Sequence, residues 1–314
     1  MFKTIKRLMS KWEAILFPEQ EIYQQRFSSW KLFLLFIVLT VVFTIIGTMI
    51  PLGGLIGFDW SHFYGIGRVP PFYPPWTIYI VNLFTWPILI GLTTASFAIA
   101  ALRRSIHPIS LAVSFFCLPL LWTLFLGQLE GIALFGLLWM PWLVPLALIK
   151  PQLAIFAFGA KKQYLIVAII FLLLSLIIFG LWPIKTLSVE SYYGEGRYQQ
   201  NIGIGLWGLP FALIAFWLSR GDMDMLMLSG CFMLSHLIPY NLLPATPAIA
   251  RLKPLPAILA VLFSWMPLVA NRIGPIGWWF GWLFILWLWI NLAVMRYPQH
   301  KFSRFFAKSL FFRN

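Results

Sequence analysis

Read for polarity alone, the chain is a series of apolar runs cut by charges, Gly and Pro. The runs fall near 32–50, 77–100, 108–126, 131–140, 141–150, 151–160, 163–182, 205–219, 224–239, 241–250, 255–270 and 276–295. A bilayer core of about 30 Å takes about 20 helical residues to cross, so the longer runs predict membrane-spanning helices. The three runs between 131 and 160, and the one at 241–250, hold only about ten residues each. Helices of that length reach about half-way through the core, which predicts paired half-helices or re-entrant hairpins. Pro141, Pro145 and Pro151 punctuate the 141–160 region, where a half-depth hairpin is expected with Lys150 at its apex, facing a cavity.

Composition sets the class. With 61% hydrophobic and 10% charged residues, the chain is too apolar for a soluble domain. The expectation is an all-α polytopic membrane protein of about 10–12 membrane segments, in which 32–295 form one transmembrane domain. The polar ends, 1–31 and 296–314, are too short to build cores of their own. Cys117 and Cys231 lie inside apolar runs and read as small core residues. The first long run starts at Leu32 without a small-residue cleavage pattern, which argues against a signal peptide. Ahead of it, Phe2, Ile5, Leu8, Trp12, Ile15 and Leu16 share one helical face opposite Lys3, Lys6, Arg7 and Lys11. That segment reads either as an interfacial helix on an anionic leaflet or as a solvated basic tail.

Charge orients the topology. If both termini are cytoplasmic, 18 of the 23 basic residues fall inside, and only Arg68, Lys150, Lys185, Arg197 and Arg272 fall outside. This positive-inside bias accounts for the net charge of +14 without nucleic acid, and the expected location is the plasma or inner membrane. It also puts four polar clusters on the extracytoplasmic face. These are Asp59 with Tyr64, Tyr73 and Trp76; Gln128 with Glu130; Lys150 with Gln152; and His236 with Tyr240 and Asn241.

Each cluster has two readings. Asp59 is the only acidic residue between Glu21 and Glu130, and its loop offers no obvious helix to cap, so it reads as a catalytic base. Lys150 would either pair with Glu130 as structural glue or neutralise the phosphate of a lipid carrier. Gln128 is a turn residue or a ligand contact, and His236 a satisfied interface residue or a substrate contact. Tyr64, Tyr73 and Trp76 form a sugar platform or an aromatic belt at the membrane surface.

Taken in order, an Asp in the first outer loop, then Tyr and Tyr-Pro-Pro, a Gly-Gln turn, a Lys-Pro pair and a late Pro-Tyr resemble the GT-C glycosyltransferases. Among these, the chain is most similar to the polyprenol-phosphate-mannose-dependent α-mannosyltransferases of bacterial envelopes, over roughly 57–241. The resemblance implies a GT-C-like helical bundle with Asp59 as general base. Lys150, Gln128 and Gln152 would line the lipid-phosphate site, and His236 would contact donor or acceptor, with Tyr64, Tyr73 and Tyr240 nearby. It implies a polyprenyl-phosphate-linked sugar as donor and a lipid or glycan as acceptor. The chain departs from the pattern in its short length, its compressed turn at Trp139-Met140-Pro141 and its small outer loop at 184–202.

The residues suit that chemistry in their own right. Attack of a hydroxyl on an anomeric carbon bearing a phospholipid needs one base on the acceptor side and positive charge at the departing phosphate. No Walker sequence or Gly-rich phosphate loop is present, and no cofactor or metal is expected, since Lys150 would supply the charge. A single carboxylate favours inversion, although Glu130 stands as a possible second. Two other functions compete: a non-catalytic subunit of a membrane complex, given the Trp- and Phe-rich 276–295 segment, and a transporter. Against transport, no inverted repeat is visible.

Overall fold

The computed structural model describes Ser10 and residues 29–71, 73–186 and 199–300. The predicted amphipathic segment before Ser29 and most of the basic tail after Arg296 lie outside the described residues. Among those described there is no strand, only an isolated bridge between Gly53 and Ile56. The helices are α1 (Ser29–Thr48), α2 (Phe58–His62), α3 (Thr77–Val81), α4 (Trp86–Arg104), α5 (Pro108–Ser114), α6 (Leu118–Leu126) and α7 (Glu130–Leu138). They continue with α8 (Val144–Ala147), α9 (Pro151–Ala157), α10 (Lys162–Phe179), α11 (Leu209–Ser219), α12 (Met223–Gly230), α13 (Pro254–Trp265), α14 (Ala270–Ile273) and α15 (Gly281–Arg296).

Among the described residues six stretches are long and apolar enough to cross a membrane: Ser29–Thr48, Trp86–Arg104, Pro108–Leu126, Lys162–Phe179, Pro254–Ile273 and Pro275–Arg296. The chain is therefore a multi-pass helical membrane protein. The remaining predicted crossings are shorter pieces, for which Pro and Gly are responsible. The run predicted at 77–100 breaks after Val81 and restarts at Trp86, where Pro87 occupies the first turn. The run at 141–150 forms only the four-residue α8, and the run at 241–250 forms no α-helix at all. The run at 224–239 stops at Met233, where Leu234 turns extended.

In place of an α-helix, Pro239–Arg251 winds as a 3-10 helix of 13 residues, all buried. Pro244 and Pro247 lie inside it. Each proline lacks an N–H and clashes with an α-helical preceding turn, which favours the tighter, thinner winding. This rod packs against α4, α6 and α7 in the middle of the bundle.

Burial separates central from peripheral helices. The α4 window is 72% buried, whereas those of α1 and α10 are 17% and 11% buried, which leaves their apolar side chains to face lipid. Contact between α1 and α4 depends on small residues: a Cβ on Gly91 would come within 2.2 Å of Thr44 Oγ1. Packing of that kind lets membrane helices approach closely without a hydrophobic driving force.

The two ends of α4 mark the two ends of the molecule, about 27 Å apart for its 19 residues. At one end Trp86 packs against the glycines flanking the Asp59 and Gln128 segments. At the other, Arg104 and Arg251 clasp Asp222 and Asp224 in a buried lattice of four ionic side chains. Arg104 Nη2 lies 2.9 Å from Asp224, while Arg251 lies 2.9 Å from Asp222 and 3.0 Å from Asp224. Asp222 also caps α12, accepting the Asp224 and Met225 N–H groups. Charge counting places Arg104 and Arg251 among the cytoplasmic basic residues without assigning them partners. They are buried and paired with two acids that the sequence reading left without a role.

Candidate functional site

A cavity of about 1080 Å³ opens at the Trp86 end, lined by eight of the residues in the four clusters, Asp59, Tyr64, Tyr73, Gln128, Lys150, Gln152, His236 and Tyr240, but not by Trp76, Glu130 or Asn241. They come from segments up to 177 positions apart (236 minus 59). Their convergence has local causes. Gly127, with φ of 76°, ends α6 and sits so tightly on Trp60 and Trp86 that a Cβ would come within 2.7 Å of the Trp60 Cβ. Gly57, at φ 65°, starts α2 and donates its N–H to the Phe125 carbonyl at 2.7 Å. These two glycines set Gln128 beside Asp59.

The polar side chains form a connected relay. Tyr73 and Tyr64 share a hydrogen bond through their hydroxyls, and Tyr64 donates to Gln128 Oε1 at 3.3 Å. Gln128 Nε2 in turn donates to Asp59 Oδ2. One carboxylate oxygen of Asp59 is thus held, while Oδ1 has no hydrogen-bond donor among the described residues. Burial pushes the Asp59 carboxyl above its ordinary range, against the opposing pulls of Lys150 and Gln128. His236 is lowered to about 4 by burial and by the nearby Lys150 charge, so it is neutral at neutral pH.

Lys150 follows the structural reading in its contacts. Its ammonium is 3.1 Å from Glu130 Oε1 and lies over the rings of Tyr73 and Tyr240, at 4.6 and 5.3 Å. Asn241 Nδ2 donates to the same Glu130 oxygen at 2.9 Å. The hairpin that presents Lys150 is not the predicted pair of ten-residue arms. The chain descends along α7, turns through 139–143 and returns through the single turn α8, where Gly136 admits the Ala147 backbone. A Cβ there would meet Ala147 N at 2.2 Å. Of the two arms expected to meet at Lys150, the one over 141–150 is mostly turn around the four-residue α8, while the one after Lys150 is helical over Pro151–Ala160.

The aromatic residues of the loop after α1 are not a surface belt. Tyr64, Tyr73 and Trp76 are only 3%, 7% and 6% exposed. Trp76 donates to the Pro145 carbonyl at 3.0 Å and packs edge-on against Phe171 and Trp182. Sequence reasoning passed over Arg68, which also lines the cavity. Its signal was its place among the five basic residues assigned to the outer face. Among the described residues no group of His, Cys, Asp and Glu is arranged to hold a metal ion.

Comparison of the chain with protein-family models, with curated proteins and with solved structures finds no match to any of them.

Proposed function

We propose that this chain is a membrane glycosyltransferase that moves a mannose-like hexose from a polyprenyl-phosphate donor to a lipid or glycan acceptor at the extracytoplasmic face, with inversion. The observation that carries the reading is Asp59. It is a half-buried carboxylate with one oxygen fixed by Gln128 and the other without a donor among the described residues, in a cavity large enough for a sugar and the head of its carrier. In the proposed step the acceptor hydroxyl gives its proton to Asp59 Oδ1 while its oxygen bonds to the anomeric carbon. The bond from that carbon to the phosphate oxygen breaks, and its electron pair leaves with the phosphate.

Inversion is supported by the position of Glu130. Its Oε1 is engaged by Lys150 and Asn241, and among the described residues Asp59 is the carboxylate that lines the cavity. A retaining double displacement would need a second carboxylate at the sugar. A GT-C-like bundle and an outward-facing cavity belong to the same proposal, on the resemblance of the motifs and the charge bias.

One observation favours a second reading, a non-catalytic membrane subunit. The Glu130–Lys150 pair is fully buried and serves as structural glue whether or not a donor binds. The deciding experiment is transfer of labelled mannose from a polyprenyl-phosphate donor to membrane lipid acceptors by purified protein in proteoliposomes. Transfer that is lost in Asp59→Asn supports the enzyme. Absence of transfer by the wild type across a panel of donors and acceptors supports the subunit.

A further inference from the structure

Among the described residues two permanent cations line the cavity, Arg68 and Lys150. They differ in how far each is already committed. Lys150 is 6% exposed, bonded to Glu130 and enclosed by two tyrosine rings, so its charge is balanced before any ligand arrives. Arg68 is exposed, and among the described residues its guanidinium has neither ion pair nor hydrogen bond. Its backbone is fixed by a bond from its own N–H to the Phe63 carbonyl at 2.9 Å, beside Tyr64. A guanidinium presents a planar fork of donors that matches a phosphate oxygen pair, and it is the better phosphate ligand of the two side chains when geometry counts.

A second observation concerns the other end of the same ligand. Gln152 lines the cavity, and its Oε1, shut off from solvent just behind the wall, receives no hydrogen bond among the described residues. A buried acceptor in that state is stabilised by a hydroxyl or amide donor and gains nothing from an anion. The walls are thus polarised, with acceptors at Gln152 and Asp59 Oδ1 and an uncommitted cation at Arg68.

We infer that Arg68 is the anion-binding residue of this cavity, holding a phosphate ester at its exposed side while the hydroxyl-bearing part of the ligand points toward Gln152 and Asp59. This rests on the glycosyltransferase reading for the identity of the hydroxyl-bearing part, a sugar, but not for the anion site itself. It also reassigns the phosphate contact from Lys150, which holds the cavity wall together.

The test is calorimetric titration of the full chain in nanodiscs with farnesyl phosphate, farnesol and inorganic phosphate. Farnesyl phosphate is expected to bind at least tenfold more tightly than farnesol, and Arg68→Gln to remove that advantage without changing the melting temperature. Arg68→Lys should keep part of it. If inorganic phosphate binds as tightly as farnesyl phosphate, the site takes a free anion; if it binds far more weakly, the lipid-linked ester is the ligand. Unchanged farnesyl phosphate affinity in Arg68→Gln overturns the assignment, as does equal affinity of the wild type for farnesol. The transfer assay separates the two proposals. Sugar transfer with an unaltered donor KM in Arg68→Gln removes this inference and leaves the enzyme reading intact, whereas Arg68-dependent binding without any transfer does the reverse.

Discussion

At the residue scale, the behaviour of Asp59 follows from its surroundings. A base must be ionised to accept a proton, and burial raises the pH at which Asp59 becomes so. Transfer activity should therefore rise with pH along an acid limb whose midpoint lies above the ordinary value of 3.8. The Gln128 hydrogen bond favours the ionised form, so Gln128→Ala should move that limb to higher pH, and a pH–rate profile with kcat/KM checks it. Asp59→Asn keeps shape and hydrogen bonding but accepts no proton, and should lower turnover by roughly 10²–10⁴-fold in a folded protein. The stability effect has the opposite sense. Because the folded carboxyl holds its proton to higher pH than the unfolded one, Asp59 contributes stability below 3.8 that is lost as pH rises through its folded pKa. Asp59 was legible in the sequence because it stood alone in a long acid-free stretch; Gln128 was legible as a turn residue or ligand contact, but not as the partner of Asp59. The tyrosine relay between Tyr73 and Gln128 was not legible, since it depends on two rings from one loop meeting a side chain from another.

At the element scale, the α7–α8 hairpin decides whether Lys150 and Glu130 meet. Lys150→Met would leave the Glu130 carboxylate buried without its cation, a loss expected at about 3–5 kcal/mol, while Glu130→Gln combined with Lys150→Met should recover much of it. Thermal unfolding of the single and double variants in detergent measures this. Gly136→Ala should cost about 1–3 kcal/mol by pushing the Ala147 backbone away, and should loosen the ion pair three residues further on. Long apolar runs identified the six crossings well, because hydrophobic length is a local property. The short elements were harder. Prolines at 141, 145 and 151 announced a break but not its shape, and the spacing of Pro239, Pro244 and Pro247 did not reveal a 3-10 winding. The buried Arg104–Asp224–Arg251–Asp222 lattice escaped altogether, since positive-inside counting treats every Arg near a helix end alike and ignores what it touches.

At the scale of the whole molecule, the proposal that the cavity faces outward makes a labelling prediction. Cys117 and Cys231 are both buried, so the wild type should react little with a thiol reagent that cannot cross the membrane. Leu55→Cys, exposed near the cavity, should react in intact cells, whereas Ile106→Cys, just beyond the Arg104 end, should react only after permeabilisation. The reverse pattern would turn the protein over and withdraw the extracytoplasmic site. The 3-10 rod at 239–251 carries a further consequence, for the order in which the chain can be built. Its prolines leave carbonyls unmatched along its length, and it begins at the Asn241–Glu130 contact and ends at Arg251. Such a segment is a poor guest for lipid by itself, where each unmet backbone group costs several kcal/mol. During synthesis it therefore has to wait, in water or in the insertion machinery, until the earlier helices have closed a slot for it. The last two long helices follow it out of the ribosome, and a chain truncated after residue 253 and released into the membrane should have its first four crossings embedded and its rod still open to protease.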